Sequence, residues 1–113
     1  MASIPEPPPK NIGQCVPEKL KEWIQQTHFP DDLKLKLIKL IDQRDKYGFQ
    51  KYGQHLMTQD GRDSVEDARQ EAGDLLQYLY KAIMNGEDTS PIEDIAPFLY
   101  LMLIKKKCIH SRL

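Results

Sequence analysis

The chain has few of the features that assign a protein to a specialised class at first sight. Only two of its 113 residues are cysteines, Cys15 and Cys108, and they lie near opposite ends, outside any CxxC motif. We expect two ordinary thiols in a reducing compartment. The net charge is -1 at pH 7, so no basic excess favours binding to nucleic acid. No run approaches the ~20 apolar residues that cross a bilayer. We therefore expect a cytoplasmic protein with no membrane or nucleic-acid partner.

The first 13 residues, MASIPEPPPKNIG, are rich in proline and contain no apolar run. Their composition favours an extended, flexible N-terminal arm over residues 1–13. Because the arm has no apolar segment, we do not expect it to act as a signal peptide. Residues 14–113 have the length of one small domain, and we expect them to form a single all-α domain.

Two helices are predicted directly after the arm. The stretch VPEKLKEWIQQTHF carries Pro17 where a first helical turn accepts it, and its apolar residues share one side. A second helix should start after Pro30, where two aspartates suit the positive end of the helix dipole, and should end near Gly48. Residues 49–62 have no sustained period, which predicts a loop.

Two further helices are predicted after this loop. The third should be capped by Asp63 or Ser64 and should end at Asn85-Gly86. A fourth should run from about Pro91 to Lys107, where Pro97 kinks or divides it. No alternating pattern indicates a strand, so the predicted fold is all-α, most simply a four-helix bundle.

Acidic residues line one edge of the apolar stripe that is predicted for the third helix, which consists of Val65, Ala68, Ala72, Leu75, Leu79 and Ile83. Asp67, Glu71 and Asp74 follow at i, i+4 and i+7, with Tyr78 next, and no basic residue interrupts this line. Such like charges repel by a few tenths of a kcal/mol per pair. A hard divalent cation reverses this cost, because Mg²⁺ prefers oxygen ligands. The row therefore indicates a metal site, although rows of this kind are more often simply solvated.

A second acidic pair and the spacing between the two groups point to a known family. Asp42 and Asp45 border the apolar face of the second helix, and D42-x-x-D45, 25 residues, then E71-x-x-D74 resembles the ExxE…ExxD signature of the all-α nucleoside triphosphate pyrophosphohydrolases, the MazG and dimeric dUTPase group. QEAGDLLQYL is similar to the second metal helix of that group. The stretch from RDKYGFQKYG to GRDSVEDARQEAGDLLQYLYKAI is similar to small MazG-like proteins of phages and other viruses. The resemblance covers roughly residues 30–86 and departs from the signature where aspartates replace glutamates.

The resemblance implies a four-helix bundle of this pyrophosphohydrolase type, in the host cytoplasm if the source is viral. It implies Mg²⁺-dependent cleavage of a nucleoside triphosphate to monophosphate and pyrophosphate, in nucleotide-pool control, with Mn²⁺ as a substitute. Asp42, Asp45, Glu71 and Asp74 match the metal ligands, and Asp67 would be a further ligand or a hydrogen-bond acceptor. Asp42, Asp45 and Glu71 are the catalytic candidates, with Asp42 or Asp45 orienting or deprotonating the attacking water.

Four side chains near the acids are expected to contact the substrate. Lys51, Arg62 and Lys81 would meet phosphate, and Tyr78 would stack on a base or pack at a subunit contact. Asp63 is expected to cap the third helix. The three histidines have no metal-ligand spacing, and surface or cap roles are expected for all of them: His28, His55 and His110.

The apolar run from Leu99 to Ile104 predicts a homodimer or homotetramer, since a helix that is apolar all round needs burial on more than one side. The resemblance implies the same. Two alternatives to the pyrophosphohydrolase remain open. One is a non-catalytic helical interaction protein with this fold, and the other is a hydrolase of another nucleotide pyrophosphate, such as an alarmone.

Overall fold

The computed structural model describes the backbone of residues 8–111 and the side chains of residues 8–104. Within this range the chain is helical and contains no strand, which confirms the all-α prediction. The chain divides into two compact units, Met1–Asp67 and Ala68–Leu113. None of the described helices combines the length and the hydropathy that crossing a membrane requires.

The first unit is built on two packed helices, α1 (Val16–Gln26) and α2 (Asp31–Tyr52). Pro17 lies in the first turn of α1, as predicted, where its missing N–H costs no hydrogen bond. Ile24 is fully buried. The hydroxyl of Thr27 donates to the Ile24 carbonyl over 2.7 Å and satisfies a carbonyl at the end of the helix.

The end of α2 corrects one prediction. The helix continues through Gly48 to Tyr52, and Gly53 ends it in the left-handed conformation at φ 73°. The N–H of Gly53 donates to the Phe49 carbonyl over 2.8 Å. An internal glycine such as Gly48 costs about 1 kcal/mol of helix stability relative to alanine. The 22-residue helix continues through Gly48 despite this cost. The left-handed turn, by contrast, needs a glycine.

Residues 10–16 run antiparallel to residues 56–60, in what we call the arm–loop pairing. Four backbone hydrogen bonds of 2.8–3.1 Å make it: Lys10 N to Asp60 O, Gln59 N to Ile12 O, Thr58 N to Gln14 O, and Val16 N to Leu56 O. Gly13 has φ 97°, and a Cβ at this position would overlap Thr58 Oγ1. Within the predicted arm, Lys10 and Ile12 are thus hydrogen-bonded to the loop, while residues 1–7 lie outside the described residues.

Helix α3 (Ser64–Met84) begins in the first unit and continues in the second. The Asp63 carboxylate accepts the Glu66 N–H over 3.0 Å, which confirms the predicted cap. Gly86 at φ 67° follows the end of the helix, also as predicted. The predicted core stripe is covered only in part, since Leu75 and Leu79 are half-buried while Val65 and Ile83 are 80% and 65% exposed.

The predicted fourth helix is divided in two, giving α4 (Ser90–Glu93) and α5 (Ile95–Ser111). The break falls at Asp94, and Pro97 occupies the first turn of α5, where proline removes no helical hydrogen bond. Phe98 is 2% exposed and is the large buried side chain among the described residues of this unit. The bundle arrangement of the helices stays a prediction.

Candidate functional site

A cavity of about 470 Å³ lies within the first unit, and we call it the α1–α2 cavity. Its apolar walls come mainly from the two helices and the following loop: Val16, Pro17, Leu20, Leu40, Ile41 and Leu56. Arginine, aspartate, histidine, glutamine and tyrosine side chains line the rest, together with Pro9 and Gly48. This combination of aliphatic walls with a few polar groups is typical of small-molecule sites.

Three of the sequence-predicted site residues line this cavity together. Asp45 comes from the middle of α2, Arg62 from the loop, and Asp67 from the first turn of α3. Asp42 and Lys51 belong to the same unit, but they are not among the residues that line the cavity. The folded first unit therefore gathers residues that are 22 positions apart in the sequence at one place.

Asp45 is held by a residue that the sequence reasoning did not assign to the site. His55 Nδ1 lies 2.8 Å and 3.0 Å from the two carboxylate oxygens of Asp45. Because an ionised carboxylate only accepts hydrogen bonds, Nδ1 is the donor. The ring of His55 lies 4.9 Å from that of Phe49.

Gly53 is the residue in the sequence that could have indicated the contact between His55 and Asp45. Its left-handed turn reverses the chain, so residues just after it return beside the last turns of α2, where Asp45 and Phe49 share a face at i, i+4. A helix that ended near Gly48, as the sequence predicts, would not bring His55 beside Asp45.

Asp42 faces a different partner from Asp45. Lys21 Nζ on α1 donates to Asp42 Oδ1 over 2.8 Å, and the side chains are 34% and 53% exposed. The hydrogen bond to Asp42 is the main reason that the pKa of Lys21 is raised, and the negative charges of Asp42, Asp45 and Glu18 add to it. The two aspartates of α2 thus serve separate contacts, one with α1 and one with the loop.

The DGRD segment holds a cation over an aromatic ring. Asp60 is 6% exposed, and its carboxylate accepts the Arg62 N–H over 3.0 Å, which fixes the turn before α3. The Arg62 guanidinium lies 5.4 Å from the centre of the Tyr52 ring, and Lys51 Nζ lies 5.2 Å from the same ring. Two predicted phosphate contacts, Lys51 and Arg62, therefore share one aromatic neighbour.

The other predicted site residues follow on α3 in the second unit. Glu71, Asp74, Tyr78 and Lys81 are all exposed, Tyr78 at 70%. Lys81 lies in the last turn of the helix, as the helix dipole favours.

The carboxylates of both helices are hard oxygen donors, the type of ligand that Mg²⁺ takes. Over the described part of the chain, no three His, Cys, Asp or Glu side chains are close enough together to hold a metal ion. In the first unit, Asp42 and Asp45 already accept hydrogen bonds from Lys21 and His55. The donor chemistry of the predicted ligands fits magnesium, and the two contacts are competitors that a bound ion would have to displace or share.

Comparison with known proteins yields no relative of the chain. No protein-family model matches it, and neither a curated protein nor a solved structure is significantly similar to it. The likeness to the MazG-like group accordingly depends on the motif residues, and the function must be argued from the site itself.

Proposed function

We propose that the chain is a Mg²⁺-dependent nucleoside triphosphate pyrophosphohydrolase of the MazG-like type, which releases monophosphate and pyrophosphate in nucleotide-pool control. One observation carries the proposal. Asp45, Arg62 and Asp67, which were chosen from sequence as metal or substrate residues, line one cavity of ligand size in the first unit. A nucleotide site needs this combination of carboxylate, guanidinium and apolar wall in one place.

The proposed metal ligands are Asp42, Asp45, Glu71 and Asp74, with Asp67 as a further ligand. Magnesium bound by carboxylates of this kind would neutralise phosphate charge and lower the pKa of a bound water. The chain itself supplies the positioning. His55 donates to Asp45 and thereby fixes the direction of that carboxylate, as groups behind a ligand commonly do.

The proposed phosphate contacts are Lys51 and Arg62 in the first unit and Lys81 in the second. Tyr78 is proposed either to contact the substrate or to pack at a subunit contact. Arg62 presents a planar fork of donors that suits phosphate oxygens, and the buried Asp60 fixes its backbone. Lys51 adds a flexible positive charge next to it, over the same Tyr52 ring.

The proposed assembly is a homodimer or a homotetramer. On α3, Leu76, Tyr80 and Ile83 follow at i, i+4 and i+7 and are 69%, 64% and 65% exposed. A line of large apolar side chains exposed along one helix marks an interaction surface more often than a free one. A second copy of the chain would bury this line.

A non-catalytic helical interaction protein is the second candidate, because one observation favours it. Asp42 and Asp45, two of the four proposed primary ligands, already accept hydrogen bonds from Lys21 and His55. Carboxylates with such contacts also serve a purely structural role, in which they join α2 to α1 and to the loop.

The decisive experiment is a panel of ribo- and deoxyribonucleoside triphosphates incubated with the full chain and Mg²⁺. The products are analysed for pyrophosphate and monophosphate. We expect turnover that stops on chelation and returns with Mg²⁺ or Mn²⁺, together with a higher melting temperature in Mg²⁺. Absence of both turnover and stabilisation would favour the interaction protein. Release of orthophosphate instead of pyrophosphate would contradict the proposed bond cleavage.

A further inference from the structure

We propose that the α1–α2 cavity binds the uncharged base and sugar of the nucleotide, and that Pro9, in the described part of the N-terminal arm, forms part of its wall. The identity of the ligand rests on the proposed function, whereas the existence and lining of the cavity do not. The inference assigns a ligand role to residues outside the metal and phosphate candidates, among them Pro9, Leu56 and Gln54.

The size and the walls of the cavity suit a nucleoside. A cavity of about 470 Å³ falls within the roughly 300–1,000 Å³ of small-molecule sites. Leu20 of α1 and Leu40 and Ile41 of α2 provide aliphatic surface against which a flat ring can be buried. Burying apolar surface of this kind supplies most of the affinity for an uncharged ring.

The charges around the cavity argue against a free anion as its occupant. Two arginines and three aspartates line it, namely Arg44, Arg62, Asp45, Asp60 and Asp67. These five side chains carry two positive and three negative formal charges, which leave one net negative charge. Such a lining repels a polyphosphate that enters without a cation. A neutral ring with hydrogen-bonding edges avoids that repulsion and meets both donors and acceptors.

The arm belongs to the cavity because its backbone is tied to the loop that carries the polar lining. Pro9 lines the cavity directly. The side-chain amide of Gln54, another lining residue, donates to the Lys10 carbonyl over 2.9 Å. The arm–loop pairing then holds the segment from Leu56 to Asp60 in place. A distortion of the arm would therefore change the wall against which the ligand packs.

The test measures nucleoside binding in the absence of metal and phosphate. Adenosine, guanosine, cytidine, uridine and thymidine are titrated into the full chain and into two variants, and binding is followed by calorimetry and ligand-observed NMR. Leu56→Trp places a larger side chain in the cavity, at a loop position that is 58% exposed. The matched control is Leu35→Trp, at an α2 leucine that is 67% exposed and does not line the cavity.

We expect at least one nucleoside to bind the wild type and Leu35→Trp alike, and Leu56→Trp to bind it at least ~10-fold more weakly, a change readily resolved as a ratio of dissociation constants. Binding of no nucleoside, or equal binding by both variants, would overturn the inference. If Leu56→Trp does not fold, as judged by its melting curve, Leu40→Trp on α2 takes its place with the same two outcomes.

The contribution of the arm is tested with Gly13→Ala against Gly86→Ala. Both glycines have positive φ, 97° and 67°, so both variants carry backbone strain, but only Gly13 lies in the arm–loop pairing. We expect weaker nucleoside binding for Gly13→Ala alone. Equal nucleoside affinity in the two variants would contradict a contribution of the arm to the site.

Failure of the inference and failure of the proposed function give different results. Triphosphate turnover with the same KM in Leu56→Trp and Leu35→Trp would contradict the nucleoside site but would support the proposed enzymatic function. Nucleoside binding that Leu56→Trp weakens, in a chain without any turnover, would support the site and contradict the enzyme.

Discussion

Carboxylates of the first unit have defined hydrogen-bond donors, whereas α3 in the second unit carries its acids and much of its apolar stripe in solvent. Asp42, Asp45 and Asp60 accept bonds from Lys21, His55 and the Arg62 backbone, respectively. On α3, Glu71 and Asp74 are exposed, and so are Ala72 and Ile83 of the apolar stripe, Ile83 at 65%.

The difference shows that the specificity of a motif and the number of its hydrogen-bond contacts need not coincide. The most specific motif, QEAGDLLQYL, lies on a helix whose residues are mostly exposed, and the less specific aspartate pair lies where the hydrogen-bond partners are defined. We infer that the exposed side chains of α3 depend on a bound metal, substrate or partner for their contacts. In the first unit, hydrogen bonds within the chain already orient the polar side chains.

Glu71→Gln tests this inference with the largest expected effect. The change keeps the shape of the side chain and removes the charge that a metal needs. Turnover should fall at least ~10²-fold, the scale of a lost electrostatic catalytic group. Without metal, the melting temperature should hold or rise, because repulsion with Asp67 and Asp74 is relieved.

Glu66→Gln is the matched control on the same helix. Glu66 points about 100° away from Asp67 around the helix axis, so its charge is not part of the acidic row. Equal activity in the two variants would contradict the metal site, and equal loss in both would indicate a general defect in α3.

Leu76→Glu tests the role of the exposed line on α3. If a second copy covers this line, a buried carboxylate in the interface should weaken association at least ~10-fold, the factor that corresponds to about 1.4 kcal/mol. Light scattering across a concentration series would show a shift towards the mass of one chain. Leu35→Glu, at a leucine of similar exposure in the first unit, should leave association unchanged. A wild type that is monomeric at micromolar concentration would contradict the prediction.

Gly13→Ala tests how firmly the first unit is held together. The new Cβ would overlap Thr58 Oγ1 in a backbone conformation that alanine rarely adopts. We expect a loss of roughly 2–5 kcal/mol of unfolding free energy, from backbone strain and overpacking together. Gly86→Ala has φ 67° but open space around its Cβ, so its loss should be about 1–2 kcal/mol. Urea denaturation of both variants measures the difference in unfolding free energy. Equal losses would show that the arm–loop pairing accommodates the added Cβ without a large loss of stability.

Lys21→Met has the smallest expected effect and tests the competition at Asp42. Removal of the ammonium should strengthen Mg²⁺ binding several-fold by calorimetry, because the carboxylate no longer has a cationic partner. Stability should change by less than about 1 kcal/mol, as for exposed ion pairs.

The pH dependence of the same variant has a defined sign. The pKa of Lys21 is raised by Asp42 above its ordinary 10.5, so the stabilisation is complete below pH 10.5 and is lost as the pH rises through the folded pKa. The stability difference between wild type and Lys21→Met should therefore shrink in that alkaline range. A difference that stays constant there would contradict the assigned contact.

Local chemistry explains which parts of the fold were predictable. Pro17, Asp63 and Pro97 act within one helical turn, so their positions alone indicated a start, a cap and a break. Gly48 and Gly53 were not distinguishable in this way, because a glycine is compatible both with a helix interior and with a left-handed end. The choice between them depends on how the following loop packs.

The site contacts were harder to predict because they join distant residues. Lys21 and Asp42 are 21 positions apart on different helices, and no periodicity links them. His55 reaches Asp45 only because the chain reverses at Gly53. The spacing of the acids indicated a metal site. It carried no information about Lys21 and His55, which hydrogen-bond to Asp42 and Asp45.

The arm–loop pairing also has a consequence for the order of folding. Gln14 and Thr58 are 44 positions apart, and the same separation divides Lys10 from Gln54. Closing so long a loop is entropically less favourable than forming a helix or joining two neighbouring helices. We expect α1 and α2 to associate first and the arm to join the loop afterwards, so the cavity would be completed at the end of folding rather than at its beginning. During synthesis on the ribosome, Gln14 is made 44 residues before its partner Thr58, so the pairing cannot form until α1 and α2 have both been synthesised.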